Sequence, residues 1–130
     1  MDYLIDTDVC IDFLKDQKPA TDLFHKLTNE SIKISVITLI EIGYGIEKSY
    51  QPEKKKKQFR DFINEFSIAI IPVDSIISEE FVRLKIELER QKHPLSDFDL
   101  LIAATAMANN LLLATRNIKH FKRIKNLSLH

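Results

Sequence analysis

Tryptophan is absent from these 130 residues, cysteine occurs once and glycine twice. Each scarcity excludes something. The lone Cys10 can neither close an intrachain disulfide nor build a cysteine-based zinc site. Gly43 and Gly45 are the only glycines and there are four prolines, so the chain holds no flexible linker and no low-complexity tract. It has no internal repeat. Charge of one sign is lacking as well: 19 Lys and Arg balance 19 Asp and Glu. A polybasic coat is thereby excluded, and any nucleic acid must be met by local patches. No apolar run approaches the length that spans a bilayer, and Asp2 and Asp6 interrupt the start. The expectation is a cytoplasmic protein with no membrane partner, folded as a single domain over residues 1–130.

What is present is an alternation. Tyr3–Ile5, Ile32–Ile37, Ile68–Val73 and Leu111–Ala114 are short apolar runs, as strands covered on both faces are. Leu127–Leu129 adds a short fifth edge strand. Helical patterns fill the intervals: Val9–Lys15, Thr21–Leu27, Leu39–Tyr50, Glu53–Phe66, Ser78–Gln91 and Asp97–Asn109. The last carries Ala103, Ala104, Ala106 and Ala108, suited to close packing on a sheet, and Asn110 follows where a left-handed cap is expected. The order βααβααβααβ predicts an α/β fold with a mainly parallel, doubly covered sheet. Sites in such sheets form beyond the carboxyl ends of strands.

Acids stand where that rule points. Asp6 follows the first strand, Glu41 the second, Asp97 and Asp99 open the alanine-rich helix, and Asn117 follows the fourth strand. Carboxylates converging in one pocket repel one another unless a cation lies between them, and hard oxygen ligands suit Mg²⁺ or Mn²⁺. Capping competes with that reading. Thr38-Leu39-Ile40-Glu41 and Ser96-Asp97-Phe98-Asp99 both spell capping boxes, and Asp8 and Asn117 suit helix N-caps. Asp6, directly after a buried strand, is the hardest to explain by capping alone. On spacing alone both readings stand.

Four segments carry a resemblance: Leu4-Ile5-Asp6-Thr7-Asp8, Ile37-Thr38-Leu39-Ile40-Glu41-Ile42-Gly43-Tyr44-Gly45, Asp97-Phe98-Asp99-Leu100-Leu101-Ile102-Ala103-Ala104-Thr105-Ala106, and Thr115-Arg116-Asn117-Ile118-Lys119-His120-Phe121. In order and spacing the chain resembles PIN-domain ribonucleases of the VapC toxin type, from bacterial toxin–antitoxin pairs. The resemblance implies a Rossmann-like three-layer sandwich with a five-stranded parallel sheet. It implies an acidic pocket in which Asp6, Glu41 and Asp99 bind metal, with Asp97 reaching it through water. Asn117 matches a position that is Asp in some members and Asn in others. Thr7 and Thr115 match polar positions beside the acids, suited to orienting carboxylates or water. The implied activity is hydrolysis of RNA by metal-activated water. An antitoxin partner and a homodimer come with the same resemblance.

Basic residues cluster twice. Arg116, Lys119, Lys122 and Arg123 adjoin the expected pocket and are the first choice for RNA contact, the last three sharing a face if helical. Lys54–Lys57 is more simply a solvated helix face. The four histidines show no ligand spacing, and Cys10 reads as a core residue. The aromatic surplus of the early and middle helices (Phe13, Phe24, Tyr44, Tyr50, Phe59, Phe62, Phe66) suggests an apolar groove for an antitoxin segment or a dimer face. Two other functions compete: a catalytically idle binding module, favoured only by the amide at Asn117, and a haloacid dehalogenase-type phosphohydrolase using Asp6-Thr7-Asp8. The latter lacks the glycine-rich acidic loop and has Cys10 where that motif wants Thr or Val.

Overall fold

The computed structural model describes residues 1–130. Four parallel strands form the sheet: β1 (Asp2–Ile5), β2 (Ser31–Ser35), β3 (Ala69–Ile71) and β4 (Leu112–Ala114), in the order β3-β2-β1-β4. The helices are α1 (Thr7–Leu14), α2 (Lys18–Lys26), α3 (Val36–Glu47), α4 (Pro52–Glu65), α5 (Ser75–Arg90), α6 (Asp97–Ala108) and α7 (Ile118–Phe121). The predicted order of strands and paired helices is observed. The expected fifth strand is not. Leu127–Leu129 contributes one parallel bridge, Leu129 to Leu113, held by Leu113 N to Ser128 O and His130 N to Leu113 O, both 2.9 Å.

Side-chain alternation along the strands divides the core in two. Leu4 and Leu113 pack on one face with Leu84, Leu88, Ile102 and Phe121, under α5 and α6. Their neighbours Ile5 and Ala114 face the other way, into a cluster with Val9, Phe24, Ile42, Phe59 and Phe62 from the first four helices. The period of two thus produces the three layers. On the α6 side the buried alanines Ala103, Ala104 and Ala106 let the helix lie close to the sheet.

Boundaries move for identifiable reasons. The expected strand Ile32–Ile37 stops two residues early at Ser35, whose Oγ accepts the Ile37 N–H at 3.0 Å and starts α3 three residues before the expected Leu39. Val36 and Ile37 read as strand because a buried helix start is as apolar as a strand. Ile68–Val73 shrinks to Ala69–Ile71, ended by Pro72. Asn110 does adopt the left-handed conformation, φ 53°.

From β1 the chain moves to β2 and β3 on one side, then crosses to β4 on the other. The carboxyl ends of β1 and β4 therefore flank the switch point at which open α/β sheets form their sites.

Candidate active site

Asp6 occupies that switch point. It is the N-cap of α1, and its amide donates to Ala114 O of β4 at 2.9 Å, closing the sheet on that side. Only 3% of it is exposed. Oδ1 accepts the Thr7 N–H at 2.8 Å and Oδ2 accepts the Thr115 hydroxyl at 2.7 Å. Thr115 Oγ1 in turn accepts the Asn117 N–H at 2.9 Å. Two expectations need correcting here. Asp6, not Asp8, caps α1, and Asp8 lies within the first turn.

Glu41 is half-buried on α3 and does not complete a capping box, because Ser35 caps that helix and Thr38 lies inside it. Thr7 Oγ1 stands 2.6 Å from Glu41 Oε1 and 2.9 Å from the buried Thr38 Oγ1. A hydroxyl has one proton, and the carboxylate can only accept, so Thr7 donates to Glu41 and turns a lone pair to Thr38. Thr7 thus fixes two acids, Asp6 through its amide and Glu41 through its hydroxyl.

Asp99 sits in the first turn of α6, where Ser96 Oγ accepts its N–H at 3.2 Å. The Ser96 half of that expected box is present. Asp97 is exposed and tied to Lys85 Nζ at 2.9 Å, at the rim rather than inside. Asn117 is the N-cap of α7 but makes no side-chain cap; its Nδ2 donates to Asp8 Oδ2 at 3.0 Å.

The electrostatics follow from this crowding. Burial pushes the Asp6 carboxyl up to about 7, and the charges of Asp8 and Asp99 push the same way, against the Thr115 and Thr7 hydrogen bonds. No three acidic side chains already stand at common ligating distance, and Glu41 is turned to Thr7. What the fold brings together is a buried acid, two acids near enough to feel its charge, and a fourth on a threonine tether.

The sequence reading does not anticipate the pairing of Asp8 and Asp12 with Arg116. Arg116 spans them, Nε 3.5 Å from Asp8 Oδ2 and Nη1 3.1 Å from Asp12 Oδ2. Their i,i+4 spacing was the available signal, since it sets both acids on one face of α1. The expected basic face is only partly formed. Helix α7 ends at Phe121, so Lys119, Lys122 and Arg123 do not share a helical stripe, and Arg123 Nη1 is spent on Pro94 O at 3.1 Å. Lys119 and Lys122 are exposed. The Lys54–Lys57 run lies on α4 as the solvated face expected, with Lys54, Lys55 and Lys57 exposed, and surface pairs join Lys56 to Glu47 at 2.6 Å and Lys57 to Asp61 at 2.9 Å.

The aromatic surplus is also relocated. Phe13, Phe24, Phe62 and Phe66 stack on one another with ring centroids 5.0–5.8 Å apart. They belong to the core. Only Tyr44 and Tyr50 stand out in solvent. A groove does exist between α1, α3 and α4, about 300 Å³ in volume, floored by Ile11, Leu14, Ile42 and Ile46, with Glu41 and Lys55 on its walls. On the other flank of α1 a wider cleft of about 500 Å³ runs past Lys15, Thr115, Arg116 and His130. No helix is long and apolar enough to cross a membrane.

With this geometry in hand, comparison with known proteins is informative. Residues 3–127 match the family model described as PIN domain. Ribonuclease VapC2 of Rickettsia felis is 35% identical over 133 residues, covering 99% of this chain and 96% of that protein. The tRNA(fMet)-specific endonuclease VapC of Shigella flexneri is 30% identical over 125 residues, covering 96% and 93%. The crystal structure of VapBC2 from Rickettsia felis, bound to a DNA fragment from their promoter, superposes with a TM-score of 0.92 at 33% identity, over 100% of this chain and 98% of that one. A parallel sheet in this order, an acid at its switch point and relatives of this extent have one reading: the chain belongs to the PIN-domain family, among the proteins of the VapC type.

Proposed function

We propose that the protein is the ribonuclease toxin of a toxin–antitoxin pair and cuts RNA in a pocket built on Asp6, Glu41 and Asp99 around Mg²⁺ or Mn²⁺. One observation carries the reading: the 3%-exposed carboxyl of Asp6 faces the charges of Asp8 and Asp99 with no cationic side chain of its own. A divalent cation turns that repulsion into attraction, and the all-oxygen donor set suits a hard ion. Asp6, Glu41 and Asp99 would hold it, with Asn117 at the margin; Asp97 reaches it through water only once released from Lys85. When bound, such an ion lowers the pKa of a water and neutralises charge on a phosphodiester. The chain's own part is positioning. Thr7 and Thr115 lock the Asp6 oxygens, Thr7 aims Glu41, and the α6 amino terminus supplies a positive dipole beside Asp99.

RNA enters along the cleft past Lys15, Thr115 and Arg116, with Lys119 and Lys122 on the outer rim. Transfer RNA is the substrate class to try first, after the name of the Shigella relative. The apolar groove beside Glu41 is placed to receive an antitoxin segment that covers the pocket. Two copies associate through exposed apolar pairs at helical spacing, Ile40 with Tyr44 on α3 and Val82 with Ile86 on α5. A phosphohydrolase with Asp6 as nucleophile is disfavoured, because the chain lacks the glycine-rich acidic loop and has Cys10 where that motif wants Thr or Val.

The experiment is cleavage of total bacterial RNA and of purified transfer RNA by partner-free protein, with Mg²⁺, Mn²⁺ or chelator, beside a folded Asp99→Asn variant. Discrete fragments that need metal and vanish in the variant are expected. Equal cleavage by both proteins would refute the site, and none by either would favour the idle module.

A further inference from the structure

Asp8 enters the reading above only as a charge felt at Asp6, yet its surroundings are peculiar. Its side chain is 19% exposed, and Oδ1 is buried with no hydrogen-bond partner, the one buried side-chain polar atom so left. An ionised oxygen in that state is costly unless something positive meets it. The other oxygen is well held. Asn117 Nδ2 donates to Oδ2 at 3.0 Å and Arg116 Nε lies 3.5 Å from it, so Oδ1 is kept turned inward. The charge of Asp8 is already felt at Asp6.

We propose that Asp8 supplies the fourth carboxylate of the cation pocket, with Oδ1 the oxygen offered to the ion or its waters, and that Asn117 is the positioning residue that holds it. This rests on the reading that the pocket takes a divalent cation. The two positions form an exchange pair. An amide at position 117 can donate to a carboxylate at position 8, whereas an aspartate there would set two carboxylates face to face at the same 3.0 Å. The neutral Asn117 therefore does not leave the pocket one charge short. It moves that charge from the loop after β4 to the first turn of α1, where the helix amino terminus also favours an anion.

The test is Mn²⁺ titration of the partner-free protein, followed by calorimetry and by the metal-induced rise in Tm, on wild type, Asp8→Asn, Asn117→Asp, the double exchange, and Asp12→Asn. Circular dichroism confirms the fold of each. Asp8→Asn should weaken Mn²⁺ binding about 10–100-fold, the range seen when a metal site loses a supporting group. Asn117→Asp alone should gain nothing, and the double exchange should restore affinity to near the wild-type value. Asp12→Asn loses the same Arg116 tether but should leave affinity unchanged. Wild-type affinity in Asp8→Asn, or a double exchange no better than Asp8→Asn, would overturn the proposal while leaving the cation pocket intact. Failure of the wild type itself to bind Mn²⁺ would instead overturn the pocket, and this proposal with it.

Discussion

Asp6 answers to opposing demands. Burial first, and the charges of Asp8 and Asp99 after it, raise its carboxyl from 3.8 to about 7. Between those values the folded, metal-free protein holds a proton that the unfolded chain has released, so this group's contribution is full below about pH 4 and is lost as pH rises to 7. Asp6→Asn removes the effect. Chemical denaturation in chelator should show the variant overtaking wild type as pH rises, the gap widening by at most about 1.4 kcal/mol per pH unit. The Mn²⁺-induced rise in the wild-type Tm should grow from pH 6 to pH 8, since the ion displaces that proton, and be absent in the variant. A wild-type shift that is flat with pH would contradict the assignment. Asp6, Glu41 and Asp99 are legible in the sequence because acids after apolar strands and at helix starts are conspicuous. The place of Asp8 is not, because its partner Asn117 lies 109 positions away and each residue alone looks like a cap.

At the scale of elements, α3 and α6 are capped by serines and not by the acids that follow them. Ser35 and Ser96 each accept a backbone N–H at a helix start, and Ser→Ala at either should cost about 0.5–2 kcal/mol of stability in urea melts. Glu41→Ala breaks no cap and should cost less, although the capping box at Thr38 had suggested otherwise. Sequence periodicity placed six helices to within a few residues of their observed ends. It missed the single turn of α7, too short to show a period, and the switch from β2 to α3, where Ser35 overrides a continuous apolar run. The stacked phenylalanines give α1, α2 and α4 a common anchor. Phe24, fully buried, should cost about 3–5 kcal/mol on change to alanine. Cys10 lies fully buried beside them, and burial pushes its thiol well above the ordinary range. Alkylation by iodoacetamide should therefore report global unfolding, with no reaction in the native protein.

Across the whole molecule, glycine is used where it is not needed. Five residues adopt left-handed backbone, Asp16, Ser67, Lys92, Asn110 and Asn126, and none is glycine, whereas Gly43 and Gly45 lie inside α3. A Cβ at Gly43 would meet nothing within 4 Å. Gly43→Ala should raise stability by about 0.5–1 kcal/mol, read as a higher Tm. The layered fold was legible because strands covered on both faces must be apolar throughout. The fifth strand was overcalled because an apolar triplet at Leu127–Leu129 does not reveal how many of its amides find partners.

The pocket's two flanks lie at opposite ends of the chain: Thr115 reaches back 109 residues to Asp6, and β4 must dock beside β1 before it can. During synthesis Asp6 emerges well before Asp99, Thr115 and Asn117, and waits for them. On the function proposed here, a copy still lacking α6 and β4 has no complete pocket and is harmless to the ribosome making it.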